Sequence, residues 1–378
     1  MNTRTMMKVV AAGLTVAVVC MSARASGVSF RSLGVPPGGN FYSYADGVSA
    51  DGFVVVGSST SANGEEAFRW TQAGGMVLLG DLPGGDFWSH AKGVSADGSV
   101  VVGNSRSANG YEAFRWTQAG GMVPLGDLPG GNFQSVVFGV SADGSVVVGG
   151  SNTGSGEEAF RWTQAGGMVP LGDLPGGDFV SRARGTSADG SVVVGSSTSA
   201  NGTEAFRWTQ AGGMVPLGDL PGGNFWSVAY DVSSDGSVVV GTGNSAISTF
   251  GYEAFRWTQA GGMVPLGDLP GGAFTSEAYD VSADGSVVVG TSNAGNGGEA
   301  IIWDSLNGMR SLRDILMAEG LDMSSSTLMC ATGVSDDGRF IVGYGQPGTA
   351  AWIVEIPEPA TLSLLGLAGL ALVGRKRK

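Results

Sequence analysis

Six tryptophans recur along this chain at nearly constant intervals. Trp70, Trp116, Trp162, Trp208, Trp257 and Trp303 are spaced 46, 46, 46, 49 and 46 residues apart. The aspartate of an Asp-Gly pair recurs in phase at Asp51, Asp97, Asp143, Asp189, Asp235, Asp284 and Asp337. A period of this length marks an array of supersecondary units, each too small to bury its apolar face alone. Glycine supplies 67 of the 378 residues. That load opposes a helical array, because each interior Gly costs a helix roughly 1 kcal/mol against Ala. No Gly recurs at every third residue, which excludes collagen.

One period reads as four short strands. Ser89–Ser95 is strand one, and Ala96-Asp97-Gly98-Ser99 is a hairpin turn. Val100–Gly103 is strand two, followed by an Asn104–Glu112 loop. Ala113–Thr117 is strand three, Gly121–Leu128 holds strand four, and Pro129-Gly130-Gly131 leads on. Three consecutive valines need burial on both faces, as between two neighbouring sheets. Four strands in about 46 residues match a β-propeller blade. The seventh unit has strands at Thr332–Ser335, Phe340–Gly343 and Ala350–Val354 but lacks a fourth. Val28–Gly34 is a spare strand at the other end. The expected fold is therefore all-β: a seven-bladed β-propeller of four-stranded blades, closed by an N-terminal strand that leaves no bare edge. An open solenoid is the alternative. Unit six breaks the pattern at Ile302, and Arg313–Gly320 has apolar residues at helical spacing.

The copies of Glu66-Ala67-Phe68-Arg69-Trp70, with Gly47-Val48-Ser49-Ala50-Asp51-Gly52, resemble the HAF-repeat family of probable extracellular repeat proteins. The name-giving histidine is here Glu66, Glu112, Glu158, Glu204, Glu253 and Glu299. The resemblance implies architecture and an extracellular address and no particular activity.

Both ends read as addresses. Arg4 and Lys8, the apolar Val9–Met21 and the small residues Ala23 and Ala25 form a signal peptide over residues 1–25, with a helical apolar core. An uncleaved anchor is the alternative. The C-terminus runs Pro357-Glu358-Pro359, then apolar Ala360–Gly374, then Arg375-Lys376-Arg377-Lys378. Fifteen helical residues span roughly 22 Å, marginal for a ~30 Å hydrocarbon core. The basic cluster holds such a helix at the cytoplasmic face. Residues 357–378 resemble the PEP-CTERM sorting signal of Gram-negative bacteria. The resemblance implies transient lodging in the inner membrane and cleavage by an exosortase-type protease. It also implies delivery to the cell surface, outer membrane or extracellular matrix. An ordinary single-span tail anchor is the alternative. Residues 26–356 are then the repeat domain.

Over residues 26–359, 13 basic residues face 33 acidic ones. A balance of about −20 repels phosphate backbones and argues against nucleic-acid binding. Cys20 lies in the leader, so Cys330 is alone in the mature chain and no disulfide or CxxC metal spacing exists.

Catalysis needs a base, a nucleophile or a metal held together. The one histidine, His90, occurs in a single repeat at a position that is elsewhere Tyr, Val, Arg or Glu. No enzyme motif stands out, so no catalytic residue and no metal ligand is assigned, and a non-enzyme is expected. Asp81, Asp127, Asp173, Asp219 and Asp268 recur before Leu-Pro-Gly-Gly, and Arg69, Arg115, Arg161, Arg207 and Arg256 in strand three. Such regularity points to structural pairing or turn bonds. No cofactor is implied, although Ca²⁺ stays open because hard cations want clustered oxygens. Positions that vary between repeats face solvent or ligand. One such position holds Tyr42, Trp88 and Trp226, and two residues on it holds Tyr44, His90 and Arg182. Alternation by two puts them on one strand face. These six residues are the candidate ligand-binding rim, for extracellular polysaccharide or for surface proteins. A carboxylate-based polysaccharide-degrading enzyme is a further alternative.

Overall fold

The computed structural model describes residues 27–39, 42–247, 251–295, 297–346 and 350–357. The expected leader helix with Ala23 and Ala25, and the sorting helix with Glu358, Pro359 and Arg375, lie outside them. Strands make up 59% of the chain and helix 2%, so the fold is all-β. Among the described residues, three sheets have four strands and two have eight. Each eight-stranded sheet is two four-stranded antiparallel meanders joined by one parallel bridge, Glu65 to Trp88 or Glu157 to Val180.

The second unit shows the pattern. Its strands are Gly84–Val94, Val100–Ser107, Gly110–Thr117 and Gly121–Pro124. Three boundaries differ from the sequence reading. The first strand begins at the Gly-Gly pair and runs 11 residues, with irregular pairing between Gly84 and Ser89. Strands two and three leave only Ala108 and Asn109 between them, where a long loop was expected. The Ser-rich stretch pairs because its small polar side chains fit a pleated surface whose backbone groups need partners. The fourth strand stops at Pro124, which has no N–H to continue the ladder.

The Asp-Gly turn works through side chains. Asp97 Oδ1 accepts from Ser95 Oγ (2.7 Å) and Ser99 N (2.9 Å), while Ser95 Oγ accepts from Val100 N (2.9 Å). Gly98 has φ +70°, which its neighbours could adopt only with strain. The same bonds form at Asp51, Asp143, Asp189, Asp235, Asp284 and Asp337.

Burial is divided between units. Val100, Val101 and Val102 are all buried, as continuous apolar runs require. Phe114 is fully buried with Val101, Ala67 and Val54, so the second sheet packs on the first. Such a side chain contributes about 1.5–3 kcal/mol by leaving water. Phe160, Phe206 and Phe255 repeat the contact around the molecule. Gly103 lies so close to strand one that a Cβ would sit 2.1 Å from His90 O.

Serines stitch neighbours together. Ser89 Oγ accepts from Ala67 N (2.9 Å) and donates to Gly80 O (2.5 Å) of the preceding unit. Arg69 Nε donates to Gly98 O in the next turn (3.1 Å), and Arg115, Arg161, Arg207 and Arg256 repeat this. The repeated arginines thus make turn bonds, and among the described residues no ion pair joins them to the repeated aspartates.

The two ends of the chain meet. The last sheet holds Cys330–Val334, Phe340–Tyr344 and Trp352–Glu355, and Ser29–Ser32 is its fourth strand, with Phe30 opposite Val354. Ser43 Oγ accepts from Ala351 N and donates to Gly34 O, both at 2.8 Å. Trp352 pairs with Gly343 where Phe68 pairs with Gly57, so it takes the place of the repeated phenylalanine and not of the repeated tryptophan. A cycle of backbone bonds runs through the turns. Ala50 N–H donates to Ala96, Ala96 to Ala142, Ala142 to Ala188, Ala188 to Ser234, Ser234 to Ala283, Ala283 to Asp336, and Asp336 back to Ala50. In unit six the helix Leu312–Ala318 follows the fourth strand, capped by Ser311 Oγ on Asp314 N and buried at Leu312 and Leu316.

Candidate functional site

The first strands stand around a central cavity of about 220 Å³. Side chains alternate along each strand, so the varied positions run inward from mouth to channel. Tyr42 lies at the mouth, 41% exposed. Tyr44 lies below it, edge-on to Tyr344 at 5.1 Å across the seam between the last and first units. Asp46 lines the channel itself, with Lys92, Phe138, Arg184, Tyr230 and Tyr279.

The seam between units one and two gathers most polar groups. Trp88 Nε1 donates to Glu65 Oε2 (3.1 Å), and Ser58 Oγ donates to Glu65 Oε1 (2.7 Å). His90 Nε2 lies 2.9 Å from Asp46 Oδ2, and its Nδ1 lies 3.6 Å from Glu65 Oε1. Lys92 Nζ donates to Asp46 Oδ1 (2.9 Å). Burial opposes ionisation of Asp46, but His90 and Lys92 outweigh it and hold the carboxyl down at about 2. Trp88 is half-buried, edge-on to Tyr111 at 5.2 Å. The Arg106 guanidinium lies 4.9 Å from the Tyr111 ring and pairs with Asp86. A hollow of about 220 Å³ opens between Tyr42, Tyr44, Ser58, Ser59, Thr60 and Glu65. Four of the six expected rim residues, Tyr42, Tyr44, Trp88 and His90, therefore meet around Glu65.

The other two stand apart. Arg182 forms a two-pronged pair with Glu157, Nε to Oε1 at 2.7 Å and a terminal nitrogen to Oε2 at 2.5 Å. Trp226 is half-buried, edge-on to Tyr252 at 5.2 Å. Its backbone N donates to Asp219 Oδ2. Pro357 is buried two residues past the last strand.

The sequence reading missed Glu65, Tyr111, Glu157 and Tyr252, which stand at the start of strand three or, for Tyr252, one residue ahead of it, just before the repeated Glu-Ala. The signal was present: this position reads Glu, Tyr, Glu, Thr, Tyr and Gly in successive units. The Ser-, Asn- and Gly-rich stretch before it reads as loop, which hides the signal.

The channel wall carries a carboxyl pair. Asp231 and Asp280 stand where other units have Gly47, Gly93, Gly139, Gly185 and Gly333. Asp280 takes Val281 N (2.8 Å) and Val334 N (2.7 Å). Burial and the adjacent Asp231 charge push Asp280 well above the usual carboxylate range, which favours a proton shared between the two carboxyls on the Asp280 side. Arg184 lies 5.1 Å from both the Phe138 and Tyr230 rings, and burial lowers its affinity for its proton. Cys330 is buried, its thiol pushed up by burial to about 12. Among the described residues no group of three or more His, Cys, Asp or Glu side chains is arranged to hold a metal ion.

Comparison with known proteins supports two conclusions. Residues 355–378 match the PEP-CTERM protein-sorting motif, which points to export and surface sorting in Gram-negative bacteria and implies recognition by exosortase. No curated protein matches the sequence. Among solved structures, oligogalacturonate lyase from Vibrio parahaemolyticus is similar with a TM-score of 0.52 at 10% identity, over 88% of this chain and 97% of that one. The Cps50 (Swd1) β-propeller domain from Myceliophteria thermophila has a TM-score of 0.51 at 10% identity, over 88% and 100%. TolB from Acinetobacter baumannii is a weaker match, with a TM-score of 0.44 at 13% identity, and this chain spans 60% of its length. The first two likenesses show the fold alone: this is an all-β chain of the β-propeller kind, carrying a surface-sorting motif at its C-terminus.

Proposed function

We propose that this chain is a secreted seven-bladed β-propeller of the HAF-repeat kind, which binds extracellular polysaccharide at the cell surface or in the matrix. The closed cycle from Ala50 through Asp336 supports the count of seven blades. Residues 1–25 are removed as a signal peptide, and residues 26–356 are the binding domain.

The observation that carries the binding reading is the Glu65 seam. Tyr42, Tyr44, Trp88 and Tyr111 surround a carboxylate that faces an open hollow. Sugar rings offer apolar C–H faces to aromatic rings and hydroxyls to carboxylates, so this mixture suits a neutral or cationic glycan. Aromatic side chains supply contact area while keeping a polar handle. The hollow is smaller than the ~300 Å³ at which small-molecule pockets begin, which favours a polymer laid across the mouth.

The protein acts without catalysis in this reading. His90 is 17% exposed in its side chain, and its Nε2 is occupied by Asp46. That ring nitrogen is therefore not open to a substrate.

The test is binding of the full chain to extracellular polysaccharide of the producing cell, beside a Trp88→Ala variant checked for folding by circular dichroism. Loss of binding in the folded variant supports the reading. No binding by the intact chain overturns it and turns the search to protein partners. Shortening of the polysaccharide during incubation overturns the non-catalytic part.

A further inference from the structure

Each unit presents one first-strand residue to the channel at the same register, directly after the residue that pairs with a glycine of strand two. These positions hold Asp46, Lys92, Phe138, Arg184, Tyr230, Tyr279 and Thr332. Two of them are cations, and their surroundings differ. Lys92 Nζ donates to Asp46 Oδ1 at 2.9 Å. Among the described residues no hydrogen bond or ion pair reaches the Arg184 guanidinium, and its Nε is buried. Its Cζ lies over the Phe138 ring and over the Tyr230 ring, 5.1 Å from each centroid. The rings attract the charge through their faces. They give the five N–H donors of a guanidinium no oxygen to bond.

The carboxylates around it are committed elsewhere. Asp46 is held by His90 and Lys92. Glu157 is held by Arg182, two residues before Arg184 on the same strand. Asp231 stands beside Gly185, where an added Cβ would lie 2.9 Å from its Oδ1. It accepts instead from Val281 N and pairs with Asp280. Glu277 accepts from Tyr230 Oη at 3.4 Å. The chain has 33 acidic residues against 20 basic ones, so this cation is not unpaired for want of acids. A donor shut away without an acceptor is costly. An acceptor brought in from outside the chain removes that cost.

We infer that the channel binds a small organic monocarboxylate, gripped by the Arg184 guanidinium with its carbon body against Phe138, Tyr230 and Tyr279. The planar fork of a guanidinium matches the two oxygens of a carboxylate with parallel N–H···O bonds. One unpaired positive charge is balanced by one negative charge. A dianion such as phosphate would bring a second charge toward Asp46 and Asp231. Tyr230 and Tyr279 stand edge-on to each other at 5.3 Å, and with Phe138 they give the wall an aromatic surface. Such a surface favours a carbon body over a hydrated inorganic ion. The channel cavity of about 220 Å³ is below the ~300 Å³ at which ordinary small-molecule pockets begin, so the ligand is a single small acid. This site lies deeper than the Glu65 seam and does not depend on the polysaccharide reading.

The experiment is isothermal titration calorimetry of the full chain at neutral pH with acetate, benzoate and glucuronate, each up to about 10 mM. Benzamide serves as the neutral counterpart of benzoate, and inorganic phosphate as the dianion. The expected result is one site per chain for at least one of the three carboxylates. Arg184→Gln should weaken that binding roughly 10–100-fold, because hydrogen bonds to a charged group are lost. Arg184→Lys keeps the charge without the fork and should fall between. Arg184 gives the protein no hydrogen bond, so both variants should fold, and circular dichroism checks this. No binding of any of the three carboxylates overturns the inference. Binding that neither folded variant weakens overturns it equally. Benzamide binding as tightly as benzoate reveals an apolar cavity alone, and phosphate binding more tightly than every carboxylate reveals a different anion class. Either outcome also overturns it.

Discussion

The indole of Trp88 donates to the Glu65 carboxylate at 3.1 Å, across the seam between the first and second units. The two residues are also bridged in parallel through their backbones. Glu65 thereby fixes the ring that the proposed ligand would meet. In a binding assay, Trp88→Ala should lose about 2 kcal/mol, roughly 30-fold in Kd, as a central aromatic anchor does. Glu65→Gln keeps the shape and an acceptor, so it should lose less. Equal binding by Trp88→Ala and wild type would remove this seam from the site.

Asp46 makes the protein sensitive to strong acid. Its carboxyl is depressed from 3.8 to about 2 by His90 and Lys92. The resulting stability is present above pH 4 and is lost as pH falls toward 2. It is on the order of 2 kcal/mol. Thermal midpoints measured between pH 4 and pH 2 should fall less steeply in His90→Gln than in wild type. Parallel slopes would show that the pair contributes nothing.

Asp280 acts in the opposite sense. Its folded-state proton affinity is raised, so the favourable contribution is complete below the unfolded value of 3.8 and disappears as pH rises through the folded value. At neutral pH the Asp231–Asp280 pair is therefore a cost. Asp280→Asn keeps a donor toward Asp231 and an acceptor for Val334 N. The variant should melt higher than wild type at pH 7, with the advantage gone near pH 4. A lower midpoint at pH 7 would refute the shared proton.

Ser89 is fully buried and bridges Ala67 N and Gly80 O. Ser89→Ala strands both groups, at a cost of about 1–3 kcal/mol for each one left unpaired. Chemical denaturation should show a lowered midpoint with an unchanged slope.

Ring closure rests on Ser29–Ser32, whose Phe30 packs against the cluster of Trp352 and Val354. Deleting residues 29–32 bares the edge of Trp352–Glu355, and exposed edges pair with other chains. The deletion should lower the midpoint and produce concentration-dependent aggregates in light scattering. An unchanged monomer would show that closure does not need this strand.

Several residues of the candidate site stand out when the repeats are compared with one another. Tyr42, Trp88 and His90 differ from their counterparts, and alternation placed them on one strand face. Glu65 and Tyr111 vary just as freely, but the Ser-rich stretch before them carries no apolar alternation to announce a strand. Asp231 and Asp280 were invisible for another reason. Their chemistry arises from closeness across neighbouring first strands, a distance no spacing along the chain records.

The sequence by itself determined the period, the four strands per unit, the Asp-Gly turns and the spare strand at the start. These depend on local pattern: valine runs, alternation, and glycine where the backbone must turn. Tertiary structure alone decided which side chains meet. Glu65 reaches Trp88, Asp46 reaches His90 and Lys92, and Arg69 turns to Gly98 O instead of a carboxylate. Those choices follow from the angle and separation of adjacent sheets. Packing of the whole ring sets that geometry, and no single repeat contains it.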